Sequence, residues 1–161
     1  MREYLCISYH GRMEGEPNES DLLGYERMFA KEIPCWVRAW FLMGQWYLGQ
    51  TISTYEVSPQ WLRTFKRLLW INCNSLEGEE RLLDIDADFR LIHWNENSLM
   101  HSVSAYDVNR TNKGDIVVGC KVEEPTEDCI VFRPEYGTIK DLGSVRGIIT
   151  SQVKLGLTLR M

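Results

Sequence analysis

Long hydrophobic runs are missing from this sequence. No segment approaches the roughly 20 apolar residues of a transmembrane helix, and the opening stretch MREYLCISYHGR lacks the apolar core and cleavage site of a signal peptide. An excess of basic residues is missing too, because 18 Lys and Arg face 23 Asp and Glu, for a net charge of −5. Nucleic-acid binders cluster Lys and Arg against phosphates. We therefore expect a cytoplasmic protein that has neither a membrane nor a nucleic acid as its partner.

Cysteine pairs with disulfide or metal spacing are also absent from the sequence. The five cysteines are odd in number, and no two of them form a CxxC motif. Most lie in apolar runs, where a thiol behaves as a small hydrophobic group. We expect reduced thiols and no disulfide framework.

Catalytic signatures are equally scarce. The sequence has no nucleophile elbow, no HExxH motif and no glycine-rich phosphate loop. Its three histidines, His10, His93 and His101, belong to no such motif. We therefore assign no catalytic residue, no metal ligand and no cofactor, and we do not favour an enzymatic function.

The residues that are present indicate one folded domain over residues 1–161, with 44% apolar and 11% aromatic residues. Hydrophobic periodicity predicts helices at 21–31 and 58–72 and strands at 4–9, 82–94, 101–108, 114–122, 128–132 and 153–159. Residues 138–150 are compatible with a short helix or with loops. The polar links between the later strands are short, which favours antiparallel neighbours.

Two segments carry particular weight in the fold prediction. Ser58 and Pro59 have the residue types of an N-cap and a first helical position, and apolar residues follow at spacings of three and four. Residues 35–54 are apolar nearly throughout and fit either a buried helix or a hairpin bent near Gly44; the glycines and aromatics favour the hairpin. The predicted fold is α+β, a mostly antiparallel sheet of five to seven strands with two packed helices.

The stretch LDIDADFRL places three aspartates, Asp84, Asp86 and Asp88, at alternate positions. A calcium loop of the D-x-D-x-D-G type needs a glycine where Phe89 stands and a glutamate where Asn95 stands. Successive side chains of a strand point to opposite faces. The pattern therefore favours a strand that is apolar on its inner face and acidic on its outer face.

The acidic residues of the chain are concentrated around this stretch. Residues 77–96 contain seven of the 23 acidic residues and two of the 18 basic residues, so the net charge arises from this segment. A local acidic patch steers encounters with a basic partner. Six tryptophans are also present, and we interpret them as core residues, with any exposed tryptophan a natural interface anchor.

The chain resembles the bacterial immunity proteins that neutralise toxins of contact-dependent growth inhibition systems. The resemblance rests on the helix SPQWLRTFKRLL and on the strands LLDIDADFRLIHW, HSVSAYDV and DCIVFRP, and it covers about half of the sequence. It implies a stoichiometric inhibitor of a toxin domain, commonly a nuclease. It carries over no individual binding residue, because no motif aligns them.

The leading hypothesis is an intracellular binding protein that occludes a basic protein toxin with its acidic surface. The predicted partner-binding residues are Glu79, Glu80, Asp84, Asp86, Asp88, Trp94 and Glu96. The alternative is a small metal-dependent phosphoesterase or nuclease-like enzyme in which Asp84 and Asp86 hold Mg²⁺ or Mn²⁺ and His93 or His101 acts as acid or base. The oligomeric state is left open.

Overall fold

Three α-helices and ten strands lie in the described part of the computed structural model, which comprises residues 5–11, 22–49, 55–92, 108–119, 128–132 and 145–150. The helices are α1 (Leu22–Ala30), α2 (Pro59–Thr64) and α3 (Leu76–Ile85), and a 3₁₀ turn follows α2 at Lys66–Leu68. The strands are β1 (Leu5–Tyr9), β2 (Cys35–Leu42), β3 (Gln45–Leu48), β4 (Tyr55–Val57), β5 (Leu69–Cys73), β6 (Arg90–Leu91), β7 (Val108–Arg110), β8 (Ile116–Gly119), β9 (Cys129–Phe132) and β10 (Gly147–Thr150).

The strands form one mixed sheet in the order β4-β3-β2-β1-β10-β9-β8-β7, with β5 paired to β2 and β6 paired to β5. The α+β class is therefore confirmed. The prediction of a mostly antiparallel sheet of five to seven strands with two helices is wrong. Only the β2–β3, β3–β4 and β7–β8 pairs are antiparallel among the described strands.

Helical crossovers explain two of the six parallel pairs between described strands. Helix α1 connects β1 to β2, and α3 connects β5 to β6, and in both cases the two strands pair in parallel. Parallel neighbours need such long connections, whereas a tight turn produces antiparallel ones. The sequence prediction took the segment of α3 as a loop and a strand, so it missed the crossover. The single-domain organisation of residues 1–161 stays a prediction.

The sheet curls until β6 and β7 meet. Ile92, next to β6, forms an antiparallel bridge with Thr111, next to β7. The Asn112 side chain completes this junction: its Oδ1 accepts from the Leu91 backbone N–H at 2.9 Å, and its Nδ2 donates to the Phe89 carbonyl at 2.8 Å. Eight of the ten strands thus form a closed arrangement, which we call the strand ring, in the order β2-β1-β10-β9-β8-β7-β6-β5.

One hydrophobic cluster lies inside the strand ring. Its buried members come from seven of the ring's strands or their ends: Ile7, Tyr9, Trp36, Trp70, Ile92, Val117, Ile130 and Ile149. Tyr9 stacks on Trp36 with ring centroids 5.0 Å apart. At one end of the ring, the carboxylate of Asp115 binds Arg90 at 2.8 Å and Arg146 at 2.7 Å. The inside therefore combines an aromatic centre with a charged end.

A second cluster lies between the outer face of the ring and the three helices. Side chains alternate across a strand, so on β5 Leu69, Ile71 and Cys73 face the helices while Trp70 faces inward. Tyr25, Met28 and Phe29 of α1 and Leu82 of α3 cover them. Trp36, Trp46 and Trp70 are buried, which confirms the core interpretation for these tryptophans.

Several predicted elements are confirmed. The strand at 4–9 is β1, the helix at 21–31 is α1, and the segment from residue 35 forms the hairpin of β2 and β3. Ser58 caps α2, because its Oγ accepts from the Trp61 backbone N–H at 3.0 Å. The strands predicted at 114–122 and 128–132 are β8 and β9 within the described residues.

Other predictions are wrong. The helix predicted at 58–72 ends at Thr64, because Leu69–Cys73 pairs with five residues of β2 and this sheet contact outweighs local helix propensity. The strand predicted at 82–94 is instead the end of α3, a turn and β6. Residues 147–150 form β10 rather than a helix or loop. The strand predicted at 153–159 and all but the last residue of 101–108 lie outside the described residues.

The cysteines of the described segments are free thiols: Cys6, Cys35, Cys73 and Cys129. Burial raises the pKa of Cys6 to about 11 and that of Cys73 to about 12. These four cysteines form no disulfide with one another, and the expectation of reduced thiols stays a prediction. Cys120 lies outside the described residues.

The β2–β3 hairpin provides a test of backbone strain. Met43 and Gly44 form its two-residue turn with φ of 50° and 79°, and the Met43 side chain is fully exposed. Asparagine adopts this left-handed conformation at lower cost than methionine. We expect Met43→Asn to stabilise the protein by about 0.5–1 kcal/mol in calorimetry. Gly44→Ala, whose new Cβ meets no atom within 4 Å, should destabilise it, and equal stability of all three proteins would contradict this account.

The packing of α3 on β5 provides a second test. A Cβ at Gly78 would overlap the Sγ of Cys73. Overpacking lowers stability by about 1–3 kcal/mol, whereas the better helix propensity of alanine raises it by only about 1 kcal/mol. We expect Gly78→Ala to lower the free energy of unfolding. Cys73→Ala should lower it in the native background and raise it in the Gly78→Ala background; additive effects in this double-mutant cycle would refute the close contact.

Candidate functional site

Helix α3 carries the centre of the acidic segment. Ser75 is its N-cap, with its Oγ accepting from the Gly78 backbone N–H at 3.0 Å. Glu77 and Glu79 lie in the first turn, where negative charge is favourable to the helix dipole. Gly78 and Leu82 face the sheet at a spacing of four. This cap and this spacing are the sequence signals that the strand prediction overlooked.

The three alternating aspartates do not share one face. Asp84 is exposed on α3, Asp86 follows the last residue of that helix, and Asp88 lies in the next turn. The Asp88 backbone N–H donates to Asp86 Oδ1 at 2.9 Å. The predicted acidic strand face is therefore wrong, because the helix ends within the alternating pattern and the chain turns at Asp86.

Asp86 and Asp88 are engaged by basic residues of the same chain. Lys66 Nζ lies 2.6 Å from Asp86 Oδ2 and 3.5 Å from Asp88 Oδ2, and Lys113 Nζ lies 3.9 Å from Asp88 Oδ1. The hydrogen bond from Lys66 is the largest cause that lowers the pKa of Asp86, and the Asp88 N–H adds to it. Much of the charge at these two positions is thus balanced within the protein.

The remaining predicted partner-binding residues differ in their exposure to solvent. Glu79 is buried, with 6% of its surface exposed, and so does not contribute to the outer surface. Glu80 and Asp84 are exposed. Trp94 and Glu96 lie outside the described residues.

The exposed side of α3 forms a continuous surface that combines acidic and apolar side chains. At 100° per residue, five exposed residues fall on one arc of the helix, and we call them the α3 outer face: Leu76, Glu77, Glu80, Leu83 and Asp84. Its three carboxylates make no ion pair or hydrogen bond with the described residues. Leu76, an apolar member of this face, is 69% exposed.

A groove of about 520 Å³ separates α3 from the β2–β3 hairpin. Its walls are Phe41, Gly44 and Trp46 of the hairpin and Glu77, Arg81, Asp84 and Ile85 of the helix. The Phe41 and Trp46 rings lie 4.8 Å apart, and the Arg81 guanidinium carbon lies 5.8 Å from the Phe41 ring centroid. The fully exposed Met43 stands at the tip of the hairpin. The groove thus joins the α3 outer face to an apolar rim.

The described residues do not assemble a metal site. No three His, Cys, Asp or Glu side chains within them are placed to share an ion. Of the proposed ligands, Asp86 is bonded to Lys66, whose positive charge opposes a cation there. His10 is buried, with Nδ1 2.9 Å from the Tyr25 hydroxyl, while His93 and His101 lie outside the described residues. No helix in the described segments is both long and apolar enough to cross a membrane.

Comparison with known proteins identifies no similar protein from which a function could be inferred. No family model, no curated protein and no solved structure matches the chain. The resemblance to immunity proteins therefore stays a prediction.

The Lys66–Asp86 pair makes the stability of the protein depend on pH. Because the folded-state pKa of Asp86 is lowered, its contribution to stability is present above the unfolded value of about 3.9 and is lost as the pH falls through the lower, folded value. We expect NMR titration to place the Asp86 carboxyl below ordinary aspartates, and Lys66→Met to raise its pKa. The difference in stability between the two proteins should disappear in acid; an unchanged Asp86 titration in Lys66→Met would contradict the pairing.

Proposed function

We propose that this protein is a binding protein that neutralises a basic protein toxin, a nuclease domain, by covering it with the α3 outer face. The observation that carries the proposal is the set of three exposed carboxylates, at Glu77, Glu80 and Asp84, that form no ion pair with a described basic residue. Such charges attract a positively charged surface and raise the rate of encounter.

The apolar residues beside these charges supply surface that can be buried against a partner, which charged side chains alone do not provide. Interfaces combine a desolvated apolar centre with a polar rim, and a few large side chains carry most of the affinity. Leu76 and Leu83 lie among the carboxylates, and Phe41 and Trp46 form the opposite wall of the groove. Acidic side chains around apolar anchors are suited to a protein partner with a basic, partly apolar surface, such as a substrate cleft built to hold phosphates.

The structure changes which residues we assign to this surface. Glu77, Glu80 and Asp84 replace the predicted aspartate row, because Asp86 and Asp88 are bound by Lys66 and Glu79 is buried. Removing exposed carboxylates elsewhere on the protein changes the net charge by the same amount but leaves the α3 outer face intact. The proposal therefore predicts a difference between these two sets of acids.

The test uses two variants that remove the same charge. The outer-face variant carries Glu77→Gln, Glu80→Gln and Asp84→Asn, and the control carries Glu26→Gln, Glu32→Gln and Glu56→Gln at exposed positions on α1, after it and on β4. The probe is the protein encoded beside this chain's own gene, with binding measured by calorimetry at low and high salt. Three exposed charges at up to about 1 kcal/mol each predict a loss of roughly tenfold to a hundredfold in affinity for the outer-face variant at low salt.

The control variant should bind as the native protein does, and the salt dependence of binding should be weaker in the outer-face variant alone. Replacing Leu76 and Leu83 with Ser should weaken binding without changing its salt dependence, with circular dichroism confirming the fold. Equal losses in the two charge variants, or no loss in either, would exclude α3 as the binding surface.

A further inference from the structure

The strand ring brings several strand ends together. Strands β1, β2, β5, β6, β8, β9 and β10 are linked by parallel pairings, so their carboxyl ends lie at one end of the ring. Ligand sites in parallel sheets form at this end. Tyr9 and Phe132 are the last residues of β1 and β9, and Asn72 is the second-last residue of β5.

Two asparagines point into the ring near this end. Asn72 lies two residues after the inward-facing Trp70, and paired residues on neighbouring strands share a face. Asn109 of β7 pairs with Val117, a member of the inner cluster. Since β5 and β7 flank β6 in the ring, their inward side chains converge.

These side chains are buried and lack hydrogen bonds. Asn72 is 0% exposed and Asn109 is 7% exposed. Both amide atoms of Asn72, the Nδ2 of Asn109 and the Nε1 of the fully buried Trp36 have no partner in the part of the chain that the structure describes. Buried polar atoms without partners are costly and rare in folded proteins. Three such side chains inside one ring indicate that a bound group completes them.

The donor set defines the chemistry of that group. Asn72 offers one donor and one acceptor, while Asn109 and Trp36 each add an N–H donor. The Arg38 guanidinium carbon lies 5.9 Å from the Trp36 ring centroid, and Arg38 is in register with Asn72 on the neighbouring strand. Donors in excess, beside a cation, are suited to acceptor oxygens that carry negative charge.

We propose that the inside of the strand ring binds a small oxyanion, or the oxyanion group of a small molecule, through Asn72, Asn109 and Trp36. This site lies on the opposite face of β5 from α3, so it is independent of the toxin-binding surface. The oxyanion is either a phosphate or a carboxylate, and the two are distinguished by experiment.

The experiment measures thermal unfolding of the full chain after exhaustive dialysis. Inorganic phosphate and acetate are added separately, with chloride at equal ionic strength as the reference. A bound anion at a hundredfold excess over its Kd should raise the Tm by roughly 5–10 °C. A response to phosphate assigns a tetrahedral oxyanion, and a response to acetate assigns a carboxylate.

Asn72→Leu is the decisive variant, because it replaces both orphaned amide atoms with methyl groups on a side chain of the same branching. We expect its Tm without anion to equal or exceed that of the native protein and its anion response to disappear. Ser8→Ala is the control: Ser8 is buried on the other face of β1 and hydrogen-bonds Cys35, so this variant should lower the Tm in every buffer and keep the anion response.

Two results would overturn the proposal: no anion response in the native protein, and an equal response in Asn72→Leu. If the native protein does not respond and Asn72→Leu has a lower Tm, the polar atoms are assigned to ordered water. If Asn72→Leu does not fold, Trp36→Phe removes only the indole N–H donor and must reduce the anion response. An undiminished response in Trp36→Phe would equally overturn it.

Discussion

The junction of β6 and β7 is the constraint on which the rest of this structure depends. Strand β6 has only two residues, and the Asn112 side chain supplies two of the hydrogen bonds that a longer strand would make with its own backbone. Beside it, Asp115 binds both Arg90 and Arg146. Without this junction the sheet would be open, and Trp36 and Trp70 would face solvent. The junction thus converts a curved sheet into an enclosed interior.

Closing the ring assigns the two faces of the sheet to different roles. Side chains of the strands line the inner face, and the described helices pack on the outer face. There Gly78 lets α3 approach Cys73 of β5 closely, and this fixes which side of α3 faces solvent. The acidic and apolar outer face is therefore a consequence of the packing beneath it. One strand, β5, supports α3 on one side and presents Asn72 to the interior on the other.

The sequence predicts local structure here better than long-range structure. The cap at Ser58, the apolar side of α1 and the hairpin at Gly44 depend on neighbouring residues, and all three are present. Strand β5 and the sheet topology depend on distant pairings: β1 pairs with β10 from the other end of the described chain, and no local pattern encodes that. The proposed surface lies in the acidic segment that the sequence indicated, and Glu80 and Asp84 are exposed there. The predicted row of three aspartates on a strand face was wrong, because Asp86 and Asp88 pair with Lys66, which lies in a different element.

Ring closure also limits how an extended peptide could join this sheet. Strand pairing with an incoming chain requires a row of unpaired backbone groups along an edge. Among the described strands, β4 forms the end of the sheet that lies outside the ring, and it is three residues long. So short an edge offers little backbone for templated growth or β-augmentation. Under the proposed binding function, selectivity for a partner resides in side chains, and substitution on α3 changes it while the hydrogen-bonded framework of the sheet stays the same.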